Sequence, residues 1–318
     1  MKLLTYRPDE SLPDFDATTL ISQQADEHLR IDDGESMCSL WWQVVPEMAG
    51  ERLGIIGHFQ ASSPDAAMFL LEGAKQRLRE KSCTLAVGPM DGNTWRRYRV
   101  LTGRGGEPPF FMEPDNPDWW AAAFTDTGFR PLATYSSSLV TDLTRQDPRA
   151  ERAMTRLQSR GVSIRNVDLS RFEEDLQKIY AVSVVSFPRN FLYTKISEEA
   201  FLQQYLPFRE KIRAELVFLA EEAGRPVGYI FATPDYAEAV RGRAIRTVIG
   251  KTLAILPGRQ YGGLGVVLTN LLHRKAAELG YSRLIHALQH EENQVQNMSD
   301  FFGEKMRRYV LFASALLP

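Results

Sequence analysis

A mixed α/β fold built from two similar halves is what this 318-residue sequence predicts. Three observations carry the expectation. Strand, glycine-rich loop, helix and strand follow one another in the second half. The first half offers a weaker version of the same order. Between them, residues 142–151 are polar, contain proline and are poor in apolar side chains, as domain linkers are.

Taken in chain order, residues 40–45 and 53–60 read as strands, and residues 64–79 carry a helical stripe of Ala67, Leu70, Leu71, Ala74 and Leu78. Residues 84–87 form a short strand leading to Gly88-Pro89-Met90. In the second half, residues 172–187 have apolar side chains at helical spacing, and Ser197 opens a helix with Glu198 and Glu199 in its first turn, where carboxylates suit the helix dipole. Residues 215–220 and 227–232 flank the turn 222–226 as a hairpin. Residues 247–256 are an apolar strand, 265–279 an amphipathic helix ended by Gly280, and 283–288 another strand. Residues 55–87 and 253–287 therefore repeat strand, loop, helix and strand at similar lengths, a repetition of pattern more than of letters. The division expected is 1–143 and 144–318, both on α+β mixed sheets.

Composition narrows the function. Hydrophobic residues make up 44% and charged residues 25%, as in ordinary globular chains. Lys plus Arg (38) nearly balances Asp plus Glu (40), so a net charge of -2 gives no reason to expect nucleic acid or an anionic membrane as partner. Cys38 and Cys83 form no C-x-x-C pattern, and His290-Glu291-Glu292 lacks the spacing of a metal-binding helix, so neither a disulfide framework nor a metal is expected. The N-terminus turns polar too early for a signal peptide. Apolar runs such as 309–317 fall short of the roughly 20 residues that span a bilayer. A cytoplasmic protein is the expectation.

The chemistry concentrates between Ala254 and Gly265. A helix N-terminus has unpartnered N–H groups and a partial positive charge, and a diphosphate reaches them only where side chains are absent. Gly258, Gly262, Gly263 and Gly265 cluster where the apolar strand meets the amphipathic helix, with Arg259 and Gln260 as added donors. Neither G-x-G-x-x-G nor a P-loop ending is present. What does occur is Gln260-x-x-Gly263-x-Gly265 after Leu253-Ala-Ile-Leu-Pro257, which closely resembles the GNAT N-acyltransferase superfamily. The hairpin at 217–231 looks like the second and third strands of that fold. Phe187-Pro-Arg-Asn-Phe-Leu-Tyr193, Thr233-Pro-Asp-Tyr236 and Gly88-Pro89-Met90 look like tandem GNAT-like proteins. The resemblance covers most of 162–312 and is weaker for 1–141.

The resemblance implies two GNAT-like domains in tandem and acetyl-CoA or another acyl-CoA as co-substrate. Leu253, Ala254 and Ile255 would then hold the pantetheine arm, and Gln260, Tyr261, Gly262, Gly263, Leu264 and Gly265 the diphosphate. Asn293 would lie near the arm. A bulky residue in place of Gly263 is expected to abolish coenzyme binding and leave the fold intact. The first-half counterpart, Gln60-Ala-Ser-Ser-Pro-Asp65, has no glycine and carries an acid that would repel a diphosphate, so one coenzyme per chain is expected.

Acyl transfer to an amine needs a base for the amine and an acid for the departing thiolate. The resemblance implies a tyrosine four residues before Gly303, but Ser299 stands there. Ser299 and Tyr309 are the candidate acids; Asp235, His286, Glu221 and Glu222 are the candidate bases. Glu221 and Glu222 also read as solvated turn charges, Asp235 as a turn former and His286 as a core histidine. Phe187, Asn190 and Tyr193 would wall the acceptor site, or serve as core aromatics and a cap. Trp95-Arg96-Arg97-Tyr98-Arg99 reads as solvated arginines on a helix, or as a contact for an anionic or RNA-like substrate.

The expected function is acyl transfer, by default acetyl, to a small-molecule or amino-acid-like amine in a ternary complex, since no cysteine near the loop offers a covalent relay. An acyl-CoA-binding pseudoenzyme or sensor, and a transferase using aminoacyl-tRNA or acyl carrier protein docked at residues 96–104 or 241–246, are the alternatives.

Overall fold

Both predicted strand–helix–strand units form, each as a parallel strand pair joined by a crossover helix. The structure, a computed structural model, describes residues 1–8, 10, 17–292 and 295–316. The strands of the first half are β1 (Leu3–Tyr6), β2 (Glu27–Ile31), β3 (Met37–Trp41), β4 (Leu53–Gln60), β5 (Leu85–Gly88), β6 (Val100–Gly103) and β7 (Arg130–Val140). Those of the second are β8 (Val162–Asn166), β9 (Val217–Glu222), β10 (Arg225–Pro234), β11 (Thr247–Ile255), β12 (Arg283–His290) and β13 (Glu304–Ala315). The helices are α1 (Ala17–Ser22), α2 (Pro64–Glu80), α3 (Trp120–Asp126), α4 (Arg149–Ser159), α5 (Phe172–Ser186), α6 (Glu198–Tyr205), α7 (Tyr236–Val240), α8 (Leu264–Glu278) and α9 (Val295–Phe302).

One sheet runs β1-β2-β3-β4-β5-β13-β7-β12-β11-β10-β9-β8, with β6 also on β13. Its order is a palindrome about the β13–β7 pair: three antiparallel contacts, one parallel and one antiparallel lead to the centre from either side. The last strand of each half is exchanged. β13 completes the first half beside β5, and β7 completes the second beside β12.

The crossover helices form because their stripes can be buried. Leu70, Leu71, Ala74 and Leu78 of α2 are fully buried, as are Leu264, Leu268, Leu272 and Ala276 of α8; each such leucine contributes about 1.5–3 kcal/mol over exposure. Gly280 ends α8 at φ 85°, where a side chain would be strained. Several strand boundaries shift by two or three residues, and the largest difference is at β3, which runs from Met37 and stops at Trp41 rather than continuing to residue 45. There the Asp26 carboxylate accepts from the backbone N–H groups of Trp42 and Gln43 (2.6 and 3.0 Å), turning the chain off the sheet.

Candidate active site

Parallel pairing between β11 and β12 lasts only from Thr247–Arg283 to Gly250–His286, although both strands run on. Beyond that point they part, and the edge of β11 facing β12 has no strand partner among the described residues. Lys251, the first residue past the parting, is also skipped by β10, whose register shifts between Phe231 and Ala232. The register of β12 against β7 shifts between His286 and Gln289, and Leu288 takes φ 58°. The gap opens into a cleft of about 1310 Å³ walled by both halves. Apolar and aromatic side chains dominate it, among them Phe187, Tyr193, Phe201, Tyr229, Phe231 and Leu272.

At its far end β11 passes into the glycine-rich loop. Gly258 (φ 141°) lies under the Gln260 side chain, residues Arg259–Tyr261 make one tight turn, and Gly263 (φ 84°) starts α8. That helix has no side-chain cap and no acid in its first turn, so its leading N–H groups remain open to an anion. The loop is braced from two sides: Arg156 of α4 donates to the Gly262 carbonyl, and the Tyr261 hydroxyl donates to Glu222 at 2.8 Å. The first-half equivalent is closed. Ser63 caps α2 by accepting from the Ala66 N–H, and Asp65 occupies its first turn. The expectation for Gly263 needs correction. A Cβ there would stand 2.8 Å from Ala153 Cβ, on a backbone that disfavours side chains, so substitution strains the α4–α8 contact as well as the loop.

Leu253 lines the cleft, Ala254 is buried beside it, and Ile255 offers its carbonyl to Ser186 Oγ (2.9 Å). Phe187, Asn190 and Tyr193 line the same cleft; Phe187 and Tyr193 flank Trp95 of the first half, with ring centroids at 5.8 and 6.1 Å. Asn293 lies outside the described residues.

His286 and Ser299 meet. His286 Nδ1 is 2.9 Å from Ser299 Oγ, which also accepts from Gln289 Nε2 at 2.5 Å, and His286 Nε2 is 2.9 Å from His273 Nε2. Burial pushes His286 down to about 4; burial and then the neighbouring imidazole push His273 to about 3, so both rings are neutral near pH 7. His286 is thus part of a buried Ser–His–His chain that reaches the cleft wall. Asp235, Tyr309 and Ser299 do not line the cleft, Ser299 being fully buried behind His286. Asp235 caps α7 and accepts from the Phe111 N–H (2.7 Å), and burial raises its carboxyl. Tyr309 donates to Glu113 Oε1 at 2.5 Å beside Ser137, and burial raises its hydroxyl. Glu221 is neither solvated nor free: it holds Arg165 (3.0 Å) and Lys178 (2.7 Å).

One cleft residue escaped the sequence reading, and another was read two ways. Lys251 sits on an apolar strand with no motif around it; burial, then the charge of Arg99, lowers its ammonium to about 8. Arg99 lies in residues 95–99, read from sequence either as solvated arginines on a helix or as a contact for an anionic or RNA-like substrate. The segment is a non-helical wall of the cleft, held by Asp91 N–H to Arg97 carbonyl and Arg99 N–H to Pro89 carbonyl bonds (2.9 and 2.8 Å). Among the described residues no group of three or more His, Cys, Asp or Glu could hold a metal ion, and no helix is long and apolar enough to cross a membrane.

The splayed parallel strands and the loop–helix junction define a GNAT architecture, and solved structures agree. A tandem GNAT protein from the clavulanic acid biosynthesis pathway superposes over 100% of this chain and 99% of its own (TM-score 0.52, 11% identity). The glucosamine N-acetyltransferase region of a fungal multi-domain β-N-acetylglucosaminidase matches 98% of this chain and 38% of that one (TM-score 0.54, 15% identity). The chain therefore has the tandem GNAT fold, a mixed α/β architecture. In sequence it is similar to the bacterial ceramide synthase of Caulobacter vibrioides, 25% identical over 205 residues, or 62% of this chain and 52% of that protein. The match thus spans about half of that relative. It is also similar to Protein YghO of Escherichia coli, 21% identical over 338 aligned positions (91% of this chain, 86% of that one). No protein-family profile matches the chain.

Proposed function

We propose that this chain is an acyl-CoA-dependent N-acyltransferase that passes an acyl group directly to an amine. The observation that carries the reading is the parting of β11 from β12 beside an uncapped helix N-terminus. The Gln260–Gly265 loop binds the diphosphate, and the free edge of β11 from Leu253 to Ile255 binds the pantetheine arm. From Lys251 to Pro257 an extended strand spans about 20 Å, a length the arm can follow from loop to cleft. The thioester then rests at the parting, where a backbone N–H directed at its carbonyl stabilises the tetrahedral oxyanion. His286, the member of the Ser–His–His chain that lines the cleft, is proposed to carry the proton from the attacking amine to the departing thiolate, while Ser299, buried behind it, holds the ring through Nδ1. Residues 1–143 act as a second GNAT-like domain that lends the cleft its Trp95 wall and binds no coenzyme.

The acyl group is proposed to be long rather than acetyl. An acetyl group leaves most of a 1310 Å³ aromatic cleft unfilled, and a ceramide, the product named for one relative, is a long-chain amide. Thiol release measured with acyl-CoA of increasing chain length and a long-chain amine tests this. Turnover should rise from acetyl to long-chain donors; a clear preference for acetyl-CoA would return the site to a small acyl group.

A further inference from the structure

Arg99 is 5% exposed, lines the cleft and has no carboxylate partner among the described residues. Its guanidinium lies between the rings of Tyr98 and Tyr135, at 3.8 and 3.9 Å from their centroids, and Nη1 donates to the Leu288 carbonyl at 3.1 Å. Ring faces offset part of the charge but accept few of its five N–H groups, and Nε is buried without an acceptor. Both ends of the Arg99–Leu288 contact have left-handed backbone, φ 78° and φ 58°, a strain that persists only where the surroundings enforce it.

Across the parting, Lys251 is partly buried, lines the same cleft, makes no ion pair among the described residues and feels the like charge of Arg99. The acids on this wall are engaged elsewhere or solvated. Glu113 binds Arg307 and Tyr309, Asp115 binds Arg104, and Glu292 is exposed. Two cations from opposite halves thus face one cleft without a counter-ion, an arrangement that is costly unless a ligand supplies the charge.

We infer that Arg99 and Lys251 receive an anionic group, a carboxylate or a phosphate, on the acceptor, so that the acceptor is an amine that also carries a negative charge. The inference rests on the acyltransferase reading for the word acceptor; the anion receiver itself does not. With the anion held between the halves, the amine of the same molecule is directed to the thioester at the parting, and simple alkylamines are poor substrates because they leave both cations uncompensated.

The test is a calorimetric titration of the full chain with octanoate, octyl phosphate and octanol, which share an apolar tail and differ in head group. The expected result is that at least one anion binds tenfold or more tighter than octanol; which one does so names the group. Lys251→Met and Arg99→Gln should each remove most of that advantage and leave octanol affinity unchanged. Equal affinities of the wild type for all three probes, or anion binding untouched by both variants, would overturn the inference. Coenzyme A titrated in parallel reads the loop separately: its retention shows that a variant is folded, and its failure in the wild type would defeat the acyltransferase reading while leaving the anion result standing.

Discussion

Gly265 offers the sharpest test of the diphosphate loop, because the fold tolerates a side chain there. A Cβ would meet only Leu253 Cδ2, at an ordinary 3.5 Å, and the residue lies in the first turn of α8. Gly265→Ala should stabilise the helix by about 0.5–1 kcal/mol. Gly265→Asp should add a further 0.3–1 kcal/mol or so from the favourable meeting of a carboxylate with the helix N-terminus. That same carboxylate opposes a bound diphosphate: at a separation of about 6 Å and an effective dielectric of about 20 the repulsion is about 3 kcal/mol, roughly a hundredfold in Kd. Calorimetric titration with coenzyme A, paired with thermal melts, should show a Tm at or above wild type and affinity lost only in the Asp variant. Added salt should shrink the difference. If the Asp variant melts as expected and binds coenzyme A as tightly as wild type, the loop does not hold the diphosphate.

Three further outcomes follow from the same geometry. Coenzyme A should saturate at one per chain, since Ser63 and Asp65 close the equivalent end of α2; a stoichiometry of two by calorimetry would contradict this. Lys251→Met should stabilise the protein by about 1–3 kcal/mol at neutral pH. The folded ammonium titrates at about 8 against about 10.4 unfolded, so across that window the unfolded chain binds more protons and wild-type stability rises with pH. The advantage of the variant should therefore be full below pH 8 and vanish by about pH 10.4; a constant advantage across that range would argue against a buried charge. The buried His273–His286 pair has the matching acid signature. With folded values near 3 and 4 and about 6.5 unfolded, wild-type stability should fall as pH drops from 6.5 towards 4. The double variant His273→Leu/His286→Leu should lose that slope in denaturant melts, and an unchanged slope would place the titration elsewhere.

Local pattern carried much of this architecture. The stripes of α2 and α8, the β9–β10 hairpin, β11 and β12 all follow from periodicity and turn residues, and the glycines around Gly263 mark the strand–helix junction because backbone near an anion must be bare. Exchange of β7 and β13 was not legible: periodicity sets which residues lie on a strand, not which strand lies beside it. The same reason hid the cleft's polar groups. Arg99 reaches Leu288 across 189 positions of sequence. Lys251 stands out only through a register shift against β10. His286 reads as a lone histidine on an apolar strand until His273 and Ser299 are folded onto it. Phe187, Asn190 and Tyr193 line the cleft as a consequence of where α5 ends, which the sequence does show.

The central claim, that acyl groups pass from coenzyme A to an amine at the parting of β11 and β12, is tested most directly by one incubation. Purified chain is mixed with palmitoyl-CoA and a panel of long-chain amines with and without an anionic group, and free thiol and amide are quantified together by mass spectrometry. The account predicts thiol and amide in equal amounts, dependent on the amine and lost in Gly265→Asp. No thiol above the protein-free rate with any donor and amine, from a chain that still binds coenzyme A, would contradict it and leave a coenzyme-binding protein without transferase activity.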